Sequence, residues 1–373
     1  MKSTFFLALF VATQAFALTP AEKAIQQANA NIAKQPTHVP YYNNLAMAYA
    51  RRARETSDTE FYTKAEDTLK KSFGMEPDNF EGLKIQAWLE LGRHEFAKAR
   101  ETALKLNKIA PDDISVYGYL VDANAELGNY DEAVGAAQWM LDLRPGNVAG
   151  LVRAAYLREL HGNLEGALDL MQMAYDSESL SETEDRAWLL TQMAHLEMLN
   201  GDPAKAEANA QNALAVFPNY HYALAAMAQL RLTQHKYEDA VKLLATRYQQ
   251  APHAENLYAL AEAQELAGDK DDAQQSFQKF EQESRAESGL ADNSNRELTF
   301  YYLDHAHQPA KGLDVARIEA ARRHDVFTLD AYAWALAANG DYTAANNFIQ
   351  QAVSVGVRDP KVLAHARAIA AHL

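Results

Sequence analysis

The sequence contains no cysteine among its 373 residues. Disulfide bonds, thiolate metal sites and cysteine nucleophiles are therefore excluded, and packing alone must stabilise the folded chain. The sequence also lacks an apolar segment of about 20 residues, which is the length that a membrane-spanning helix needs. We therefore expect no membrane insertion.

The short motifs that mark catalytic and cofactor sites are missing as well. The chain has no H-E-x-x-H, no G-x-S-x-G, no Walker loop and no G-x-G-x-x-G. His305 and His307 are two residues apart, so on a helix their side chains would point to different sides. His365 and His372, near the end of the chain, are interpreted as surface residues. We predict no metal, no cofactor and no enzymatic activity.

Positive charge is scarce, with 35 Lys and Arg against 50 Asp and Glu, for a formal net charge of -15. The imbalance is strongest in residues 255–297, which carry 11 acidic and 4 basic side chains. So acidic a chain repels phosphate backbones, and we predict that nucleic acid is not a partner.

The first 17 residues have the features of a secretory signal peptide. Lys2 supplies a positive start, residues 5–11 are apolar, and Ala15-Phe16-Ala17 forms an A-x-A cleavage site. The alternative is a membrane anchor, but the apolar run is too short to span a bilayer. We expect cleavage after Ala17 and export, with the periplasm and full secretion both left open.

One spacing recurs along the rest of the chain. In six places an alanine is followed by a proline twelve residues later: Ala24 and Pro36, Ala65 and Pro77, Ala99 and Pro111, Ala133 and Pro145, Ala206 and Pro218, Ala240 and Pro252. Four further units keep a small residue at the first position and lose the proline: Ala167, Ala273, Gly312 and Ala345. We call these ten small residues the reference positions.

The steps between reference positions are 41, 34, 34, 34, 39, 34, 33, 39 and 33 residues. A period near 34 is typical of a helix-turn-helix repeat, in which helix A and helix B form a hairpin. Glycines before the reference positions are predicted to end helix A in a left-handed conformation. The proline ends helix B, and the reference residue is small because the two helices approach closely there.

The pattern resembles the tetratricopeptide repeat family. The residues that carry the resemblance fall on that family's helix-packing positions: Leu151, Ala154, Ala155, Gly162, Leu164, Ala167, Leu224, Met227, Ala228, Tyr237, Ala240, Leu257, Leu260, Ala261, Gly268 and Ala273. The resemblance covers essentially residues 19–373. It implies an all-α fold, a right-handed α-α superhelix of helical hairpins.

We divide the chain on this basis into four parts. Residues 1–17 are the signal peptide, 18–36 an N-terminal capping helix, 37–285 the repeat array, and 286–373 the C-terminal repeats with a capping helix. Thr19-Pro20-Ala21-Glu22 is a capping box that begins the first helix. The long steps are insertions, one at residues 55–62 in the A–B loop of the first full unit. Another, at 281–295, is either a hinge or a helix extension with a solvated loop.

The resemblance also implies where a partner would bind. In that family the concave surface binds peptides through positions 2, 5, 9 and 12 of helix A. Carried over, these positions include eight residues of a predicted partner-binding groove: Trp188, His195, Tyr222, Gln229, Glu255, Tyr258, Glu262 and Glu265. A groove that combines acidic and aromatic side chains suits a basic or neutral extended segment. The alternative is that the acids form a solvated face and the aromatics fill gaps between repeats.

The sequence thus predicts an exported scaffold that binds proteins or peptides in assembly or secretion at the bacterial cell envelope. A structural spacer without a groove is one alternative. An enzyme acting on envelope polymers is another, but the repeats leave no room for a catalytic domain. The oligomeric state and the identity of the partner stay open.

Overall fold

The computed structural model describes residues 18–373, so the predicted signal peptide lies outside the described residues. Twenty α-helices and one π-helical turn follow one another in this part of the chain. Their bounds are Pro20–Lys34 (α1), Val39–Thr56 (α2), Glu60–Met75 (α3), Phe80–Gly92 (α4), Phe96–Ile109 (α5), Ile114–Glu126 (α6), Tyr130–Leu143 (α7), Val148–Leu160 (α8), Leu164–Ser177 (α9), Thr183–Leu199 (α10), Pro203–Val216 (α11), His221–Thr233 (α12), Tyr237–Gln250 (α13), Ala254–Ala267 (α14), Lys270–Glu287 (α15), Asn295–Phe300 (α16), the π turn Tyr301–His305, Pro309–Ala320 (α17), Val326–Ala338 (α18), Tyr342–Ser354 (α19) and Pro360–Ala370 (α20).

The helices form a solenoid of hairpins. Each helix packs against the next along the chain, and A helices also touch the A helix of the following repeat, as α4 does with α6 and α6 with α8. Even-numbered helices are the A helices and odd-numbered helices the B helices, with α1 as a lone B helix at the front. The predicted fold class, an all-α superhelix of helix-turn-helix repeats, is confirmed.

The reference positions lie where the hairpins pack most closely. Seven of them have no exposed surface at all: Ala65, Ala99, Ala133, Ala167, Ala206, Ala240 and Ala345. Ala273 is 3 % exposed and Gly312 is also buried. Ala24 is the exception and is half-buried, because no A helix precedes α1 in the described chain. The close-packing role predicted for these residues is thus correct within the array.

The turns follow the predicted residue chemistry. Each of the six spaced prolines lies two residues after the end of a B helix, as Pro145 does after α7. The five glycines that end A helices have positive φ: Gly128, Gly162, Gly201, Gly268 and Gly340. In three repeats without such a glycine, a histidine takes the same left-handed conformation: His94, His235 and His307.

Both ends of the array are closed by a helix. At the front, the Thr19 hydroxyl accepts a hydrogen bond from the Glu22 amide at 3.3 Å, and the Glu22 carboxylate accepts one from the Thr19 amide at 2.9 Å. The predicted capping box is therefore present. At the back, α20 has Val362 and Ile369 fully buried against the preceding repeat.

The three long steps are accommodated mainly by longer helices. Helix α2 has 18 residues where α4 has 13, and only residues 57–59 separate α2 from α3. Helix α10 has 17 residues, and α15 runs for 18 residues to Glu287. The first insertion was expected to lengthen a loop, and it lengthens the hairpin helices instead. Around 281–295, the structure has a helix extension followed by residues 288–294.

His365 corrects one sequence interpretation. Its side chain is buried, at 7 % exposure, and its Nδ1 donates to Asp330 Oδ1 at 2.8 Å. The ring also stacks on Trp334 with centroids 4.3 Å apart. The prediction of a surface residue was wrong because α20 packs this side chain against α18. His372 is exposed and stacks on Tyr342.

Residues far apart in sequence meet where one turn of the superhelix lies against the next. The C-terminal end of α2 contacts the N-terminal ends of α10, α12 and α14. The turn that follows α6 contacts the residues that precede α18, and the turn after α8 contacts those that precede α20. We call this line of contacts the seam. We call the space between the seam and the A helices the channel, and the seam residues Arg54 and Asp185 line it.

Candidate binding channel

The channel contains two adjoining cavities between the A helices. The larger has a volume of ≈ 630 Å³ and is lined by residues of α2, α4, α6, α8 and α10, with Met171 of α9 and Glu178 behind them. The smaller has ≈ 340 Å³ and shares Asp122 and Tyr156 with the larger. The two cavities are therefore adjacent on the concave side.

Aromatic side chains from successive repeats line this space. Trp88, Asp122 and Tyr156 are each the ninth residue of their helix, in α4, α6 and α8. Because the hairpins stack with a 34-residue period here, equivalent residues point to the same face. Trp188 from α10 completes the aromatic lining of the larger cavity.

Charges of both signs accompany the aromatic rings. Arg153 donates to Asp122, with Nε 2.8 Å from Oδ1, so this pair links neighbouring A helices. Arg54 reaches the cavity from α2 and donates to Glu184 and Asp185 of α10. The lining thus offers ring faces, cations and carboxylates to a ligand.

Of the predicted groove residues, Trp188 lines the larger cavity and His195 lies further along the same helix. The exposed His195 donates from Nε2 to Glu159 Oε1 at 2.7 Å. Desolvation disfavours its charge, but the hydrogen bond and the negative charge of Glu159 outweigh that effect and raise the pKa of His195. Glu159 also lines the larger cavity, so the hydrogen bond from His195 positions a charged side chain of the cavity wall.

Tyr222, Gln229 and Glu255 are exposed on α12 and α14. Desolvation within the channel raises the pKa of Tyr222 to about 12, and the nearby Glu255 carboxylate adds to the rise. The pKa of Glu255 is also raised, first by desolvation and then by the charge of Glu297, with Arg247 opposing both. These three residues extend the accessible face beyond the two cavities.

Tyr258 does not lie on an accessible face. It is 5 % exposed and packs against Phe277 and Phe280 of α15 and His305 of the π turn. Its ring belongs to a hydrophobic cluster, as the alternative interpretation of gap-filling aromatics expected. Tyr258 was predicted to be a groove residue, and this prediction is corrected. Its ring is covered by Phe277 and Phe280 of α15 and by His305 of the π turn.

Glu262 and Glu265 are paired with a histidine of the next repeat. His305 Nε2 lies 3.5 Å from Glu262 and its Nδ1 lies 2.9 Å from Glu265. Desolvation opposes the charge of His305, but the hydrogen bond to Glu262 and the charges of both carboxylates raise its pKa. Glu262 and Glu265 were predicted to contact a binding partner. In this structure both carboxylates pair with His305 of the π turn.

Sequence reasoning missed part of the channel, namely Arg54, Trp88, Asp122, Arg153 and Tyr156. The groove was centred on residues 188–265, whereas the larger cavity lies between α4 and α10. For Trp88, Asp122 and Tyr156 a signal existed, since position 9 of helix A could have been carried to the earlier repeats. No such signal existed for Arg54, which lies in the extension of α2.

Neither a metal-binding cluster nor a membrane-spanning helix occurs in the described part of the chain. Within residues 18–373, no three or more His, Asp or Glu side chains are grouped so that they could hold a metal ion. None of the helices between Pro20 and Ala370 is both long and apolar enough to cross a membrane.

Comparison with known proteins agrees with the repeat geometry. The family model described as tetratricopeptide repeat matches residues 120–181, which include α7, α8 and α9. Residues 120–181 therefore match a tetratricopeptide repeat model. No curated protein matches the sequence at a significant level.

Two solved structures share the fold. The human IFIT1 dimer with m7Gppp-AAAA matches with a TM-score of 0.57 and 15% identity, over 90% of this chain and 86% of that one. The APC/C hetero-tetramer Cut9-Hcn1 matches with a TM-score of 0.55 and 11% identity. That match covers 93% of this chain but only 58% of the other. Identities this low show the fold alone, an all-α superhelix of helical hairpins.

Proposed function

We propose that this protein is an exported scaffold that binds a partner protein or an extended peptide in its channel, in assembly or secretion at the cell envelope. The observation that supports the proposal is the lining of the larger cavity. Trp88, Tyr156 and Trp188 face a space of ≈ 630 Å³ beside paired charges. Aromatic and arginine side chains are enriched in protein interfaces, and the three rings are partly exposed.

The chemistry of the lining defines the class of partner. Six charged side chains line the larger cavity, with Arg54 and Arg153 against Asp122, Glu159, Glu178 and Asp185. The two arginines are already paired with carboxylates of the channel. Aromatic faces attract cations, so a segment with Lys or Arg side chains fits better than an acidic one. The absence of nucleic acid among the partners stays a prediction that rests on charge.

Affinity capture with crosslinking from the exported fraction tests the proposal. We expect Trp188→Ala to reduce capture of the partner severalfold, because it removes a ring from the cavity wall. The matched control is Trp139→Ala on α7, a tryptophan that is 46% exposed and lies outside both cavities. Equal capture by both variants, with helix content unchanged, would contradict the channel as the binding site and favour the structural spacer.

Export is tested separately. We expect the mature protein to begin at Leu18, because the predicted cleavage follows Ala17. N-terminal sequencing of the protein from the exported fraction measures this. An intact N-terminus in the cytoplasmic fraction would overturn both the signal peptide and the envelope role.

A further inference from the structure

All three long steps of the repeat lie at the seam. The extension of α2 ends at residues that contact α10, and the extended N-terminal part of α10 supplies their partners. The segment after the long helix α15 lies against the turn that follows α4, where His94 Nδ1 is 3.4 Å from Asp292. Insertions at three separate points of the chain thus meet where successive turns of the superhelix touch.

The contact between α2 and α10 is ionic. Arg51 pairs with Glu182 and, at 3.2 Å, with Asp185, while Arg54 pairs with Glu184 and Asp185. The side chains of both arginines are 34% exposed, and those of Glu182 and Asp185 are 31% and 29% exposed, so water and salt reach the pairs made with these two carboxylates. In contrast, contacts between neighbouring helices of the array are mainly apolar.

Glu184 is the buried carboxylate of this contact. Its side chain is 4% exposed and also accepts a hydrogen bond from the Tyr220 hydroxyl. A buried carboxylate needs a countercharge or water. Arg54 supplies the countercharge while the turns touch, and water would supply solvation once they separate.

The tip of the extended hairpin makes neutral contacts beside the ion pairs. Ser57 Oγ lies 3.2 Å from Nε2 of His221 at the start of α12, and His253 before α14 donates to the Ser57 carbonyl. Burial lowers the pKa of His221 to about 4, so this contact carries no charge near neutral pH. The attraction across this part of the seam therefore comes mainly from the two arginines.

We propose that the part of the seam between α2 and α10 is a releasable closure, in which the α2 extension holds the next turn of the superhelix through Arg51 and Arg54 and thereby limits entry to the channel. Separation of the turns requires no repeat to unfold, because each hairpin keeps its own neighbours. Only the consequence for partner binding rests on the proposed function. The opening itself does not.

The absence of cysteine allows a direct test in the full-length mature chain. Spin labels at Glu60→Cys and Gln249→Cys, two exposed positions on opposite sides of the seam, report the separation of the turns. We expect a narrow distance distribution at low salt that lengthens and broadens at ~1 M salt, where the Debye length falls to ~3 Å. Labels at Lys105→Cys and Gln138→Cys, within one turn, should not change.

Charge variants identify the pairs that hold the seam. Arg51→Glu should lengthen the seam distance at low salt, and the exchanged pair Arg51→Glu with Glu182→Arg should restore the short distance. Exchange without restoration, or a seam distance that salt leaves unchanged, would overturn the ionic closure. The salt measurement needs no charge variant, so a misfolded variant would not prevent the test.

Access to the channel is measured without a partner. A single thiol at Gln192→Cys lines the larger cavity, and Gln138→Cys on α7 is its exposed control. We expect a polymer-linked maleimide to react severalfold faster with the channel thiol when Arg51→Glu is present, and equally fast with the control. If Arg51→Glu leaves the maleimide reaction rate at Gln192→Cys unchanged, the proposal that the seam limits entry to the channel is wrong. This conclusion does not depend on the result of partner capture.

Discussion

At the scale of single residues, the reference alanines decide how closely the hairpins pack. Ala240 has no exposed surface and lies against a neighbouring helix. We expect Ala240→Leu to lower the free energy of unfolding by ~1–3 kcal/mol, because the added atoms overfill a close-packed contact. Urea denaturation measures this. Ala204→Leu, on the exposed face of α11, is the control and should change stability little.

Glu126, the last residue of α6, gives a pH-dependent prediction. Burial and the charge of Asp325 raise its pKa to about 7, against the opposing charge of Arg323. The folded chain therefore holds this proton more tightly than the unfolded chain, whose value is 4.5. Stability from this group is greatest below pH ~4.5 and is lost as the pH rises towards ~7.

Glu126→Gln should therefore stabilise the protein at pH 8 and have little effect at pH 4.5. The expected gain in the free energy of unfolding is ~1 kcal/mol. This is less than the full pKa shift would give, because the Glu126 side chain is 30% exposed and solvent screens its charge. In this variant Arg323 still has a carboxylate partner, because Asp325 lies 3.5 Å from its Nε. Urea denaturation at both pH values measures the gain. A loss of stability at pH 8 would show that the pair with Arg323 outweighs burial.

The residue scale also shows what the sequence could predict. Ala, Pro and Gly act within one hairpin, so their spacing predicted the packing positions and the turns. Tyr258 and His365 were assigned wrongly because neighbouring elements bury them: α15 and the π turn cover Tyr258, and α18 covers His365. A position in a repeat specifies a side of the helix, whereas the neighbour decides whether that side is covered.

At the scale of elements, the turns between helices A and B differ in what lies beside them. Both Gly128 and Gly340 have positive φ, at 79° and 85°. A Cβ at Gly340 would meet nothing within 4 Å, whereas at Gly128 it would lie 2.5 Å from the His324 carbonyl oxygen across the seam. The equivalent turn therefore has space for a side chain at Gly340 but none at Gly128.

A pair of variants separates these two effects. Gly340→Ala should cost ~1–2 kcal/mol, the usual penalty of a left-handed conformation with a Cβ. Gly128→Ala should cost clearly more, because the backbone before α18 must also move. Urea denaturation compares them. Equal losses would mean that the contact between Gly128 and His324 relaxes without cost.

The lengths of the helices were predictable only on average. A period of 34 residues predicted hairpins of the observed size, as α4 and α5 show. The extra residues of the first long step were assigned to a loop because the spacing of sequence motifs does not show whether the loop or the helices become longer. The structure adds five residues to α2 relative to α4, 18 against 13, and so extends the hairpin outward.

At the scale of the whole molecule, the array depends on its terminal cap. Val362 and Ile369 of α20 are fully buried, and each such side chain contributes ~1.5–3 kcal/mol. Deletion of residues 360–373 should expose the apolar side of the last hairpin, which we expect to lower the thermal midpoint and promote aggregation. Deletion of residues 371–373, which are all exposed, is the control. An unchanged midpoint after the longer deletion would contradict the role of α20 as a cap.

The seam could not be predicted from the sequence. Each repeat adds a small rotation and rise, and whether the second turn reaches the first depends on the sum over many repeats. No local sequence pattern around Arg54 or Gly128 predicts that either residue contacts another one more than 100 positions away. The candidate groove was therefore centred on later repeats than those that line the larger cavity.

Solenoids whose units touch only adjacent units melt piecemeal, from a weak end inward. A hydrogen bond from the Val326 amide to the Tyr130 hydroxyl at 2.8 Å ties together units that are 196 positions apart. Loss of the last units would therefore also withdraw support from the middle of the chain. Such a molecule should denature in fewer, larger steps than its modular construction suggests.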